Sequence, residues 1–129
     1  MLESTPVTIL LAEDELLVRE MISTILQRYG YHVLEAIDGQ NALEVTRAHP
    51  QKEIDLLLTD IVMPKMNGLE LVQQFRNLLP DSKVILMSGN AADSTVKDLT
   101  SQHNTEFMSK PFLPLALTQR IEELLSRSA

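Results

Sequence analysis

The sequence predicts an α/β fold in which five strands alternate with five helices around one parallel sheet. Its 129 residues fit one ordinary domain. Short apolar runs alternate with segments whose apolar residues recur at the helical period. The runs are apolar on both faces, as in strands that helices cover on each side. We therefore expect a single doubly wound (βα)5 domain over residues 1–129, with its core at about 6–127.

The first two strand–helix units follow from patterning and punctuation. Val7–Ala12 is a continuous apolar run containing β-branched residues, which predicts the first strand. Within Glu15–Tyr29 the apolar residues form one helical stripe, and Gly30 follows as a helix C-cap. Tyr31–Ala36 is the second predicted strand, and Asp38 is a suitable N-cap for the second helix.

The remaining elements are predicted in the same way, although the fourth helix has only a weak apolar stripe. In chain order they are the strand Ile54–Thr59, the helix Leu69–Leu79, the strand Lys83–Met87, the helix Ala91–His103, the strand Thr105–Met108 and a final helix that starts near Pro114. Proline suits the first position of a helix because its missing N–H is not needed there.

Composition excludes several classes of function. The net charge of −7 disfavours nucleic-acid binding by this chain, since phosphate backbones are also negative. The absence of cysteine excludes disulfides, thiolate catalysis and cysteine-ligated metals. No apolar run approaches 18 residues and the N-terminus does not resemble a signal peptide, so we expect no membrane insertion by this domain and a cytoplasmic location.

Chemically active side chains stand at the predicted carboxyl ends of four strands. Glu13 and Asp14 follow the first strand, Asp60 the third, Ser88 the fourth and Lys110 the fifth. In open parallel sheets, functional groups gather at this edge, so we expect these five side chains to converge. An acidic residue after a strand is also commonly the N-cap of the following helix, and this alternative role stays open for Asp14.

This set of groups suggests phosphoryl chemistry assisted by a metal ion. Clustered carboxylates repel each other unless a cation lies between them. Oxygen ligands in small number suit Mg²⁺ or Mn²⁺. Aspartate can attack phosphorus to give an acyl phosphate, while a lysine and a hydroxyl can hold the remaining phosphoryl oxygens.

Residues 57–68 (LLTDIVMPKMNG) resemble the phosphoacceptor segment of response-regulator receiver domains, which act in two-component signal transduction. The acid pair, Ser88-Gly89 and Lys110-Pro111-Phe112 match the same family in order and spacing. The resemblance covers about residues 6–127. It implies a flavodoxin-like sheet with strand order 2-1-3-4-5.

The resemblance also implies a role for each residue. Asp60 would accept a phosphoryl group from a phosphohistidine on a histidine kinase or a histidine phosphotransfer protein. Lys110 and Ser88 would contact phosphoryl oxygens, and Ser88 would move together with the aromatic switch residue Phe107. The implied ligands of Mg²⁺ (or Mn²⁺) are Glu13, Asp14, Asp60 and the backbone carbonyl of Val62. The Lys110-Pro111 peptide bond would be cis.

Some residues depart from the family pattern. Glu13 stands where many members have Asp, and Gly89 follows the switch hydroxyl, as in many receivers fused to histidine kinases. The usual glycine before the fifth strand is absent; His103 and Asn104 stand there, and Asn104 can adopt the left-handed conformation instead. Val62 and Asn90 would flank the path of an attacking water. Because the Val62 side chain cannot hydrogen-bond water, we predict slow self-hydrolysis of the aspartyl phosphate.

Isolated features have simpler readings. We interpret Gly68 as part of the phosphoacceptor loop, and the segment 91–103 as a mobile helix beside the switch. The lone histidines His32, His49 and His103 are interpreted as surface or helix-end residues.

Several alternatives stay open. A pseudo-receiver would act as a protein-binding module without being phosphorylated. A small-substrate phosphatase of the haloacid-dehalogenase type is disfavoured, because its second aspartate is replaced here by Val62. The glycine-rich motifs of nucleotide-binding folds are absent. A receiver of a hybrid histidine kinase is favoured over a stand-alone regulator, and dimerisation on phosphorylation is left open.

Overall fold

The computed structural model describes residues 6–49, 53–89 and 104–127. The predicted helix at 91–103 lies outside these ranges, so the last described helix is labelled α4. The elements are β1 (Thr8–Ala12), α1 (Leu16–Arg28), β2 (His32–Ala36), α2 (Gly39–Arg47), β3 (Leu56–Asp60), α3 (Gly68–Leu78), β4 (Lys83–Ser88), β5 (Thr105–Ser109) and α4 (Pro114–Leu125). No helix in these ranges is both long and apolar enough to cross a membrane.

The five strands form one parallel sheet in the order β2-β1-β3-β4-β5, which confirms the predicted topology. All five residues of the central strand β3 are buried. Parallel pairing brings the carboxyl ends of all strands to one edge of the sheet. That edge is where the sequence predicts the functional side chains.

The core consists of two layers, one on each face of the sheet. Leu10 and Leu57 pack with Phe75 of α3 on one face. Leu11 and Leu58 pack with Ile121 of α4 on the other. Alternate residues of a strand point to opposite faces, so an apolar run such as LLL in β3 fills both layers.

Two helix ends have the predicted caps. Gly30, with φ of 91°, follows α1, and the Asp38 carboxylate accepts a hydrogen bond of 2.7 Å from Asn41 N. The sequence pattern predicted that α3 starts at Leu69, and it did not identify the capping box that precedes this helix. Asn67 is the N-cap there, and its side chain and that of Glu70 each accept a hydrogen bond from the other's backbone N–H.

The left-handed conformation of Asn104 stays a prediction, because its φ angle includes an atom of residue 103, which lies outside the described residues. Within the ranges described, positive φ occurs at Gly30 and at Lys65. The Asn104 carbonyl accepts hydrogen bonds of 2.9 Å from Val84 N and from the Arg76 guanidinium. The bond from Val84 N starts the pairing of β5 with β4.

Candidate functional site

Asp60 is the last residue of β3 and lies at the carboxyl edge of the sheet, with its side chain only 11% exposed. Hydrogen bonds fix its backbone on both sides. Thr59 Oγ1 donates to the Asp60 carbonyl at 2.9 Å, and Ile61 N donates to Met87 O at 3.0 Å. The position of the Asp60 carboxylate is therefore set by a rigid central strand.

Three carboxylates converge at this edge. Glu13, Asp14 and Asp60 each place one oxygen within 4.8 Å of the others. Glu13 is completely buried, whereas Asp14 is exposed to solvent. The set consists of hard oxygen donors with one open side, which fits a divalent cation such as Mg²⁺ that keeps several water ligands.

Lys110 bridges two of these carboxylates. Its Nζ lies 2.9 Å from Glu13 Oε1 and 2.9 Å from Asp60 Oδ2. Its backbone N–H donates to Ser88 O at 2.8 Å, and the Lys110-Pro111 peptide bond is cis, as the resemblance implied. Residues that are 97 and 50 positions apart in sequence thus form one ionic cluster.

The cluster contains three carboxyl groups and one ammonium group, so its acidic and basic groups do not balance. The pKa of Asp60 is raised from 3.8 to about 7, first by burial and then by the hydrogen bond and charge of Glu13, while Lys110 acts in the opposite direction. For Lys110, burial acts to lower the pKa, but hydrogen bonds and charges from Glu13 and Asp60 outweigh burial, so the pKa is raised. The ammonium group is therefore firmly protonated, while Asp60 resists ionisation.

The loop after β3 packs tightly on the Asp60 backbone. Gly68 N donates to Ile61 O at 2.7 Å, and a Cβ at Gly68 would lie 2.1 Å from Asp60 O. Lys65 has φ of 68°, which turns the chain within the loop. Glycine at position 68 is thus required by a close approach of α3 to the strand end.

Ser88 and Phe107 lie on neighbouring strands. Ser88 is the buried last residue of β4. Phe107 of β5 is half-buried, packs against the core layer that contains Phe75, and pairs in register with Leu86. Val62 follows β3 and is 77% exposed. The structure brings Glu13, Asp14, Asp60 and Lys110 together, whereas the roles of Ser88, Phe107 and Val62 stay predictions.

Sequence reasoning missed one group of contacts at this site. Arg19 of α1 donates from Nη1 to the Glu13 carbonyl at 2.8 Å and pairs through Nε with Glu35 of β2 at 3.3 Å. The helical pattern assigned Arg19 to the polar face of α1 without indicating a partner. A glutamate within a short, otherwise mostly apolar strand is the one signal that was available.

Several large apolar side chains are exposed around the same edge. Leu17 is the second residue of α1, Val62 follows β3, and Leu113 precedes α4; they are 78%, 77% and 73% exposed. Ile37, after β2, is also exposed. These residues form an apolar rim, defined here as Leu17, Ile37, Val62 and Leu113. Exposed apolar groups around a polar site are typical of surfaces that contact other proteins.

Comparison with known proteins identifies the family. The model of the response regulator receiver domain matches residues 9–122, most of the chain. The chain therefore belongs to the receiver domain family of two-component signalling.

Individual relatives agree with this assignment. The sensor kinase CckA of Brucella abortus (strain 2308) is 38% identical over 93% of this chain, but only 13% of that protein is covered. The response regulator receiver protein CpdR of the same strain is also 38% identical, over 91% of this chain and 95% of that protein. The crystal structure of the receiver domain from hybrid histidine kinase CckA superimposes with a TM-score of 0.79 at 32% identity, covering 92% of this chain and 99% of that one.

Proposed function

We propose that this receiver domain accepts a phosphoryl group on Asp60 from a phosphohistidine of a histidine kinase or a histidine phosphotransfer protein. Glu13, Asp14, Asp60 and the backbone carbonyl of Val62 would hold a Mg²⁺ (or Mn²⁺) ion. The observation that carries the proposal is the convergence of three carboxylates within 4.8 Å, with the Lys110 ammonium 2.9 Å from Asp60. We propose that the chain is a single receiver domain whose core spans about residues 6–127.

The transfer begins with the deprotonated Asp60 carboxylate. One of its oxygens attacks phosphorus, a P–O bond forms, and the P–N bond to the donor imidazole breaks. The electron pair of that bond returns to the ring nitrogen, which takes up one proton. A bound divalent cation neutralises charge on the phosphoryl group and favours the ionised carboxylate.

We propose that Lys110 and Ser88 hold the transferred group. The Lys110 ammonium already contacts Asp60 and can pair with a phosphoryl oxygen after transfer. We propose that the Ser88 hydroxyl donates to another phosphoryl oxygen, and that Phe107 changes rotamer as Ser88 moves. The added charge of about −1.5 to −2 provides the free energy for such a change.

The aspartyl phosphate should be long-lived. Val62, two residues after Asp60, carries no side-chain group that could orient an attacking water. We therefore expect self-hydrolysis to take minutes or longer, and a lifetime of seconds in the purified domain would contradict this expectation.

The apolar rim supports a protein as the phosphoryl donor. A small phosphodonor needs only the polar cluster, whereas a partner protein can cover Leu17, Val62 and Leu113. We propose that the domain contacts neither nucleic acid nor membrane. We also propose that it works in the cytoplasm, where ATP is available to phosphorylate histidine kinases. The equal identity to CckA and CpdR leaves both a hybrid-kinase receiver and a stand-alone regulator as candidates.

The proposal is tested by intact mass after incubation with Mg²⁺ and acetyl phosphate. We expect a gain of about 80 Da, the mass of one phosphoryl group. The gain should disappear with EDTA and in the Asp60→Asn variant. Asp81→Asn is the matched control, because Asp81 is exposed just before β4, at the opposite edge of the sheet. Absence of any adduct, together with no binding of beryllofluoride, would favour a protein-binding pseudo-receiver instead.

A further inference from the structure

We propose that Arg19 and Glu35 are positioning residues that set the geometry of the acid loop, residues 13–15, and thereby its affinity for a divalent cation. This inference rests on the proposed function, because it concerns the same metal-dependent site. Neither residue contacts Asp60 in the described structure; both would act through the Glu13 backbone.

Arg19 connects the acid loop to the edge strand β2. Its Nη1 donates to the Glu13 carbonyl at 2.8 Å, and its Nε pairs with Glu35 Oε1 at 3.3 Å. The Arg19 side chain is only 11% exposed. A guanidinium held at two positions has a fixed plane, so it can fix the direction of the carbonyl that it contacts.

The arrangement constrains every hydrogen-bonding group of Glu13. Its N–H donates to Ala36 O at 3.1 Å, and its carbonyl accepts from Arg19. Its Oε1 accepts from Lys110 at 2.9 Å, and its Oε2 accepts from Glu15 N at 3.2 Å. The backbone of Glu13 is thus held by β2, partly through Arg19, while its side chain is held by the phosphoryl-binding lysine.

Further contacts hold Glu35 in place. Its second oxygen accepts from Ser23 Oγ at 3.2 Å, and Ser23 Oγ in turn accepts from Gln27 Nε2 at 3.2 Å. A chain of hydrogen bonds along α1 therefore orients the carboxylate that orients Arg19. Asp14 follows Glu13 directly, so the peptide that Arg19 holds also sets where the Asp14 carboxylate projects.

Charge and positioning predict opposite effects of removing Arg19. A guanidinium near a cation site repels the cation, so a purely electrostatic role predicts tighter binding in Arg19→Ala. A positioning role predicts weaker binding, because the carboxylates lose their fixed arrangement. Loss of groups that orient metal ligands costs roughly ten- to hundredfold in affinity at well-studied sites.

The experiment measures Mn²⁺ affinity of the whole chain by calorimetry and electron paramagnetic resonance, with thermal unfolding in EDTA as a separate readout. We expect Arg19→Ala to bind Mn²⁺ about tenfold more weakly than the wild type. Glu35→Gln should also weaken binding, since it releases Arg19 and leaves its charge uncompensated. Arg28→Ala is the matched control: it removes the same charge from the exposed far end of α1 and should change affinity by less than about twofold.

Arg19→Lys provides a second variant that keeps the charge. One ammonium cannot make both contacts in the fixed geometry of the guanidinium, so we expect an affinity between those of Arg19→Ala and wild type. Unchanged or tighter Mn²⁺ binding in Arg19→Ala, or in Arg19→Lys should the alanine variant not fold, overturns this inference but leaves the proposed function intact. Failure of the wild type to bind Mn²⁺ overturns both.

Discussion

At the carboxyl edge of the sheet, Lys110 contacts the carboxylates of Glu13 and Asp60, each at 2.9 Å. At the amino edge, Arg76 of α3 donates to Thr105 Oγ1 at 2.8 Å, to Asn104 O at 2.9 Å and to the Ser82 carbonyl at 3.2 Å. Both cations are partly buried, and both join segments that are distant in sequence. They differ in their acceptors: those of Lys110 are ionisable carboxylates, whereas these three acceptors of Arg76 are neutral.

The difference distinguishes the proposed reaction site from a contact that only stabilises the fold. Three neutral acceptors hold the Arg76 guanidinium, and burial lowers its pKa. At the carboxyl edge, one ammonium faces three carboxylates, and the pKa of Asp60 is raised to about 7, mainly by burial. Excess negative charge is unfavourable in the free protein and becomes favourable when a cation is bound.

The largest expected effects come from replacing these two cations, and they fall on different properties. Lys110→Ala should slow phosphorylation by acetyl phosphate by about a hundredfold, since the phosphoryl oxygens lose a charged partner. Arg76→Ala should instead lower the free energy of unfolding by about 2 kcal/mol, because buried acceptors lose their donor. Phosphorylation rates from intact mass and urea unfolding curves measure the two effects.

An effect of Arg76→Ala on phosphorylation would contradict this comparison. Were Arg76→Ala to slow phosphorylation as much as Lys110→Ala while remaining folded, the amino edge would take part in the reaction.

The second prediction concerns how closely α3 packs on β3, the strand that ends in Asp60. Gly68→Ala should lower the free energy of unfolding by about 3 kcal/mol, because the new methyl group would lie 2.1 Å from Asp60 O. Gly89→Ala is the matched control: a Cβ there has no neighbour within 4 Å among the described residues. We expect that variant to change stability by less than about 0.5 kcal/mol. Equal effects at the two glycines would mean that this loop tolerates the displacement.

The third and smallest prediction uses the pKa of Asp60. Because the pKa is raised from 3.8 to about 7, the folded state binds a proton in this range that the unfolded state has lost. Stability therefore falls as the pH rises through this window, and the full penalty is present above about pH 7.

Asp60→Asn removes that penalty. In EDTA at about pH 8, we expect the variant to be more stable than the wild type by roughly 1 kcal/mol, with the gain fading towards about pH 4. Urea unfolding at both pH values measures the difference, and Asp81→Asn, exposed at the opposite edge, should show no such trend. A gain that is independent of pH would assign the effect to packing instead of ionisation.

Much of this fold was predictable because its signals are local or belong to a motif. Apolar runs predicted all five strands, and Asp38 and Pro114 marked helix starts. The strand order came from the family resemblance, which covers almost the whole chain. The convergence of Asp60 with Lys110 was expected because functional groups gather at the carboxyl ends of parallel strands. Parallel strands then necessarily place these two residues at one edge.

Contacts between distant segments were not predictable from these patterns. The bonds that Arg19 makes to Glu13 and Glu35 depend on how α1 lies against β2, and nothing in the helical period selects that partner. The same holds for the Asn104 carbonyl, which accepts hydrogen bonds from Val84 N and Arg76, because no local pattern indicates either donor.

The central claim is that Asp60 itself carries the phosphoryl group. The most direct measurement treats the acetyl-phosphate-reacted protein with borohydride, which reduces an acyl phosphate to an alcohol, and locates the product by peptide mass spectrometry. We predict homoserine at position 60, dependent on Mg²⁺ and absent from unreacted protein. Modification at Asp14 or Glu13 in place of Asp60, or at no acidic residue, would contradict the account.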